Sequence, residues 1–451
     1  VERVSFPVVR LLTRLLRLGV LKPFFTISFS FYFSRNFIIS SSLSATLSSL
    51  SLIKVKKQIV LLYFVPLHSL YDIKIMEKIK KFRLDFIDVI RAFAICMMLQ
   101  GHFINGLLAD RYRDENNFIY WLWHYCTGIT APVFFTVSGF IFTFLLVKES
   151  DATKVGWNNP RVMKGIRRGL MLIGIAYFLR MSFQSVDVLH CIGLSLLLLI
   201  ATYLLSYNRK SWVMPTILLT TTLLAFTFEP FYKDLRFDSL PLPIANYLTR
   251  VHGSFFPIFP WFGYVSFGGF MGYLFQRYKN HPHLYRNAIL LFLSVGAFLL
   301  WGFHFMIEQL FYINHSPFFE QLMQGFAYLR LGNVLLVFGF FALMRNVITS
   351  QLIKTIGQNT LSIYVIHCFI IYGSITSHGL IQHFGGQLKP YQVVLGAPAF
   401  IAVCVWLSFI YNRVKPVIKS GIAFVLKEIR AFLVESYQFI MKLVFSRQYN
   451  K

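Results

Sequence analysis

From about residue 86 onward the chain repeats one pattern: an apolar run of roughly twenty residues, a short polar or charged stretch, then another apolar run. An α-helix rising about 1.5 Å per residue needs about 20 such residues to cross a hydrocarbon layer about 30 Å thick. The pattern predicts about ten transmembrane helices, near residues 86–108, 118–147, 166–183, 188–206, 211–229, 258–275, 287–307, 323–344, 355–377 and 391–412. The expected fold class is therefore an all-α polytopic membrane protein, in which each helix satisfies its own backbone polar groups. Composition agrees, with 56% hydrophobic and only 14% charged residues against about a quarter charged in soluble domains.

The formal net charge of +26 would suggest nucleic acid in a soluble chain. Here the basic residues cluster between apolar runs, and membrane topology explains them better. Loops such as "KESDATKVGWNNPRVMKGIRR", "YNRK" and "QRYKNHPHLYRN" fall on one side, and "ADRYRDENN" and "EPFYKDLRFDSLPLPIANYLTRVHGS" on the other. About 25 Lys and Arg lie on the first side and about 7 on the second, which assigns both termini to the cytoplasm. The expected setting is a bacterial inner (plasma) membrane, with the lipid bilayer as a partner and no nucleic acid.

Three domains are expected. Residues 1–75 contain no Met and only two acids, Glu2 and Asp72; they read as an over-extended N-terminus or a leader, outside the fold. Residues 76–416 form the transmembrane domain. Residues 417–451 space charges through an apolar background, as in an amphipathic helix lying on the cytoplasmic surface.

Ionisable groups inside apolar spans are costly and mark function or interhelical contacts. "IDVIRAFAICMMLQGHF" carries Asp88, Arg91 and His102. Arg91 and His102, eleven residues apart, fall on nearly one helix face about 16 Å apart, with Asp88 one turn from Arg91 as an ion-pair partner. His102 and His124 are expected at one depth near the outer surface. Asp187, His190, Arg330 and His367 are further intramembrane polar groups that could line an acceptor site or a pore. A neutral imidazole can serve as a base near pH 7, and an arginine can hold a phosphate or carbonyl without losing its charge. Together they suit a reaction between a charged cytoplasmic donor and an outward-facing acceptor. Cys96, Cys126, Cys191, Cys368 and Cys404 all fall inside apolar segments without C-x-x-C spacing, so no metal site is expected. Gly268 and Gly272 in "WFGYVSFGGFMGYLF" have the small-xxx-small spacing of helix packing.

The stretch "RLDFIDVIRAFAICMMLQGHF" resembles the opening motif of transmembrane acyltransferases, a superfamily that includes acyltransferase-3 and the heparan-α-glucosaminide N-acetyltransferase-like (DUF1624-type) proteins. "APVFFTVSGFIF", "VDVLHCIGLSLL", "IFPWFGYVSFGGFMGYLF" and "IGQNTLSIYVIHCFIIY" are similar, in order, to landmarks of the second group. The resemblance implies acetyl-CoA or another acyl-CoA as co-substrate, bound from the cytoplasm, and transfer of the acyl group to a sugar or glycan on the far side. It casts His102 as the catalytic histidine and Arg91, with Asp88, as donor-binding. The animal lysosomal member has Asn where His102 stands and its histidine farther along, where this chain offers His124, so both remain candidates. The alternatives are a transporter or flippase for an anionic or lipid-linked sugar, and a non-catalytic scaffold. The oligomeric state stays open, with a homodimer among the options.

Overall fold

The computed structural model describes residues 84–148, 154–180, 185–374 and 377–449; the leader expected over residues 1–75 lies outside them. The described helices are α1 (Asp85–Leu107), α2 (Phe118–Leu146), α3 (Pro160–Arg180), α4 (Val188–Ser206), α5 (Val213–Thr227), α6 (Glu229–Tyr232), α7 (Leu242–Leu248), α8 (Ile258–Arg277), α9 (Leu284–Ala297), α10 (Phe303–Asn314), α11 (Pro317–Met323), α12 (Ala327–Leu343), α13 (Gln351–Gln358), α14 (Thr360–Tyr372), α15 (Leu380–Phe384) and α16 (Pro390–Tyr449). A π-helical turn, Phe298–Gly302, joins α9 to α10. Among the described residues the only strands are β1 (Gly373–Ser374) and β2 (Ser377–His378), paired antiparallel with Gly373 opposite His378.

Six stretches are long and apolar enough to cross a bilayer: Asp85–Leu107, Phe118–Leu146, Val188–Ser206, Leu284–Asn314, Ala327–Asn346 and Pro390–Ile418. The protein is an all-α multi-pass membrane protein. The other four expected segments are helical too, on α3, α5, α8 and α13–α14. They are weaker spans by themselves: α3 opens with Arg161, Lys164, Arg167 and Arg168, while α5 has 15 residues and α14 has 13.

Leu84–Ile410 forms one compact unit. The part of α16 from Tyr411 to Tyr449 belongs to a second unit. Within the first unit, local sequence sets several helix starts. Asp85 and Asp88 place negative charge in the first turn of α1, where the helix dipole favours it. Asn117 caps α2 by accepting from the Ile119 and Tyr120 N–H groups at 3.0 and 3.3 Å. Pro132 interrupts the hydrogen-bond ladder of α2.

Small residues let the helices approach where lipid provides no hydrophobic drive. A Cβ on Gly268 would lie 1.9 Å from the Thr136 carbonyl oxygen, one on Gly272 2.3 Å from that of Phe140, and one on Gly139 1.9 Å from that of Val265. The glycines read as packing residues thus press α8 against α2. Aromatic rings fill in around this seam, Phe140 meeting Phe275 at 5.1 Å and Phe338 at 6.1 Å between centroids. A second close approach joins α13 to α1, where a Cβ on Gly357 would lie 1.8 Å from the Asp88 carbonyl oxygen. That contact brings α14 alongside α1 and positions the polar groups described next.

Candidate active site

The polar residues of α1 meet α14 at two points. Arg91 donates from Nη2 to Thr360 Oγ1 at 2.9 Å, at the start of α14. His102 Nδ1 lies 3.0 Å from Tyr372 Oη, at its end. Arg91 and His102 are eleven residues apart and Thr360 and Tyr372 twelve, so the two helices run parallel and in step.

Around Arg91 the contacts are charged. Asp88 Oδ1 lies 3.5 Å from Arg91 Nη1, which realises the expected ion pair. Gln358 Nε2 donates to Asp88 Oδ2 at 3.2 Å, and Lys354 Nζ to Asp85 Oδ2 at 2.6 Å. A cavity of about 110 Å³ opens beside Arg91. Its lining includes Arg168, Ser138 and Thr360 and reaches Tyr364, one turn along α14. Two guanidinium groups therefore flank a narrow space that ends against a tyrosine.

Tyr364 opens the second cluster. Its hydroxyl donates to Asp187 Oδ2 at 2.9 Å, and Arg180 Nε donates to the same oxygen at 3.2 Å. Asp187 also caps α4: Oδ1 accepts from the Val188 N–H at 2.6 Å, and its own N–H donates to His190 Nδ1 at 3.0 Å. This capping box leaves neutral His190 with its proton on Nε2. Nε2 is buried and finds no hydrogen-bond partner among the described residues, and the ring stands edge-on to Tyr177 at 4.2 Å.

On the other side, the Tyr364 ring meets His367 edge-on at 4.9 Å, and His367 Nδ1 bonds the Tyr364 carbonyl oxygen. A carbonyl only accepts, so His367 Nδ1 carries the proton and neutral Nε2 is an acceptor. His367 stacks on His102 at 5.3 Å with 28° between the planes. Tyr372, His102, His367, Tyr364, Asp187 and Arg180 thus form an unbroken chain of contacts across α1, α3, α4 and α14.

The long loop before α8 folds over this chain. The Phe256 N–H donates to the Val186 carbonyl at 3.3 Å, the Phe255 ring lies 5.5 Å from the Arg180 guanidinium carbon, and Tyr247 Oη sits 3.4 Å from Tyr177 Oη. Burial holds the Tyr247 hydroxyl above the ordinary phenol value, so it stays protonated.

Of the residues singled out in the sequence, His102, Asp187, His190 and His367 come together, and Arg91 with Asp88 forms the charged end. His124 stands apart. It is exposed and stacks on Tyr120 at 6.0 Å, whereas Trp123 of α2 turns toward α1 and donates to Gln100 Oε1 at 2.7 Å. Arg330 lies in a separate group at the start of α12, 5.8 Å from the Phe326 ring, where Glu229 Oε2 accepts from the Ala327 N–H at 3.2 Å. Sequence reading missed Arg168, Arg180, Thr360, Tyr364 and Tyr372. Arg168 was grouped with the loop charges. Thr360, Tyr364 and His367 do recur at i, i+4, i+7, the signature of one helix face.

The model of the family described as "Heparan-alpha-glucosaminide N-acetyltransferase, catalytic" matches residues 83–317. That stretch, over half the chain, holds Arg91, His102, Arg168, Asp187 and His190, while the α14 residues lie beyond it. No curated protein matches. By the family match, the chain belongs to the heparan-alpha-glucosaminide N-acetyltransferase catalytic family.

Proposed function

We propose that this protein transfers an acetyl or other short acyl group from acyl-CoA, entering from the cation-rich side, to an amino or hydroxyl group of a sugar on the opposite side. One observation carries the reading: the cavity between Arg91 and Arg168 leads to Tyr364, and Tyr364 touches the chain that ends at His102. Arg91 and Arg168 hold the phosphate-bearing donor, since guanidinium stays charged at any working pH. The narrow space between them suits an extended thioester arm better than a nucleotide.

His102 acts as the base. In the tautomer with its proton on Nδ1, which donates to Tyr372 Oη, Nε2 can take the acceptor's proton. The acceptor nitrogen or oxygen then attacks the thioester carbonyl carbon and the new C–N or C–O bond forms. The C–S bond breaks, and the CoA thiolate leaves and recovers the proton from the imidazolium. Asp187, His190 and the loop carrying Tyr247 and Phe255 form the wall nearest the sugar.

The test is transfer of labelled acetyl from acetyl-CoA to glucosamine by the purified full chain, with thermal melting measured alongside. The wild type is expected to transfer acetyl and to gain about 2.7 kcal/mol of stability at 100 times the donor dissociation constant. His102→Ala should lose transfer but keep that stabilisation. A folded wild type that ignores millimolar acetyl-CoA in both assays overturns the reading; sugar flux in liposomes without any donor would then favour a transporter. Loss of transfer in His124→Ala with full retention in His102→Ala reverses the assignment of the base.

A further inference from the structure

A second basic pocket lies at the C-terminal end of α2. It has a volume of about 430 Å³ and is lined by Lys148, Lys154, Arg209, Lys210, Arg277 and Lys279. These residues come from the ends of α2, α4 and α8 and the turns that follow them, with Lys154 on the segment leading to α3. It shares no lining residue with the Arg91 cavity. Among the described residues no carboxylate lines it, and Lys148, Arg209, Lys210, Arg277 and Lys279 form no ion pair.

The pocket has a braced frame. Tyr203 Oη accepts from the Gly156 N–H at 3.3 Å and from Asn159 Nδ2 at 3.2 Å, and Asn159 Nδ2 also reaches the Leu146 carbonyl at 3.1 Å. Tyr273 Oη donates to the Ser211 carbonyl at 2.6 Å. Gly156 takes φ +59°, and a Cβ there would lie 2.7 Å from the Tyr207 ring, so the chain meets α4 where only glycine fits. The positive-inside rule accounts for basic residues on this side of the membrane. It does not account for five of them, besides the partnered Lys154, converging on one concavity. Like charges gathered there repel one another, and a bound anion would relieve that cost.

We propose that this pocket binds a phosphate group: a charged ligand seated among Lys148, Arg209, Lys210 and Arg277 at the level of the lipid headgroups. The phosphate chemistry could come from an anionic phospholipid or from a soluble phosphate. In either case the site is independent of the acyl-transfer reading.

The test uses the full chain in nanodiscs. Its melting temperature is measured in pure phosphatidylcholine, with a third of the lipid replaced by phosphatidylglycerol, and in phosphatidylcholine with inorganic pyrophosphate titrated. The triple variant Lys148→Gln/Lys210→Gln/Arg277→Gln is compared with a charge-matched control, Lys164→Gln/Arg286→Gln/Lys427→Gln. Saturable stabilisation is expected in at least one arm, weakened by about fivefold for each pocket cation removed and by less than twofold overall in the control. A response to phosphatidylglycerol alone identifies a lipid headgroup, and one to pyrophosphate alone a soluble phosphate. Should the triple variant fail to fold, Lys210→Gln and Arg277→Gln are read singly against the same fivefold expectation. No saturable response in either arm, or equal responses in pocket and control variants, overturns the proposal.

Discussion

At the Arg91 end of the α1–α14 pair fixed charges gather: Arg91 with Asp88, Arg168 across the cavity and the Lys354–Asp85 bridge. At the His102 end the same two helices present rings, His102 on His367 and Tyr372, and the Asp187 carboxylate is met through Tyr364. On the proposed reading, one end suits the permanent phosphate charge of a donor, and the other offers an imidazole that can accept a proton. Under the proposed function, such a division along one helix pair would let binding and chemistry be altered separately.

The sharpest way to break this comparison is to remove each end in turn. His102→Ala is expected to lower kcat by about 10² to 10⁴ with little change in the acetyl-CoA KM. Arg91→Ala should instead raise that KM and keep most of kcat at saturating donor. Arg91→Lys should restore only part of the loss, because separate guanidinium nitrogens serve Asp88 and Thr360. Steady-state kinetics with acetyl-CoA varied would show the contrast, and equal effects on both parameters in both variants would refute it.

Two further substitutions act on the scaffold at opposite ends. Asp187→Ala removes a helix cap, worth about 1 kcal/mol, together with the contacts to Arg180 and Tyr364. Arg180 is 35% exposed, so solvent screens part of the ion pair, and a loss of about 1 to 3 kcal/mol in thermal melting is expected. Gly357→Ala would force α13 away from the Asp88 backbone, an overpacking that costs about 1 to 3 kcal/mol. It should raise the donor KM while sparing kcat. A rise in KM from Asp187→Ala and a fall in kcat from Gly357→Ala would mean that the two ends are not separable.

How far the site was legible follows from the range of its contacts. The face shared by Arg91 and His102, the Asp88 partner and the packing role of Gly268 and Gly272 are readable because each depends on spacing within one helix. The pairing of α1 with α14 joins residues 269 and 270 positions apart, and no periodicity within a helix encodes such a distance. Depth alone likewise suggested that His102 and His124 belong together. Rotation about the axis of α2 separates them, turning Trp123 toward α1 and leaving His124 exposed. Apolar run length located the helices, yet α5, with 15 residues, and α14, with 13, are shorter than a bilayer requires by themselves.

The smallest expected effect is also the finest probe of the His102 end. Tyr372→Phe keeps the ring that stands edge-on to His102 at 6.1 Å and removes only the hydroxyl 3.0 Å from Nδ1. A neutral hydrogen bond contributes about 0.5 to 1.5 kcal/mol, equivalent to about a 2- to 13-fold change in rate. Tyr372 is 43% exposed, so water can replace part of the lost bond and the lower end of that range is expected. If Tyr372 positions the imidazole, the loss falls on kcat with the donor KM and melting temperature unchanged. A melting shift without a kinetic effect would make the hydroxyl structural, and the orientation of His102 would then rest on its stacking against His367.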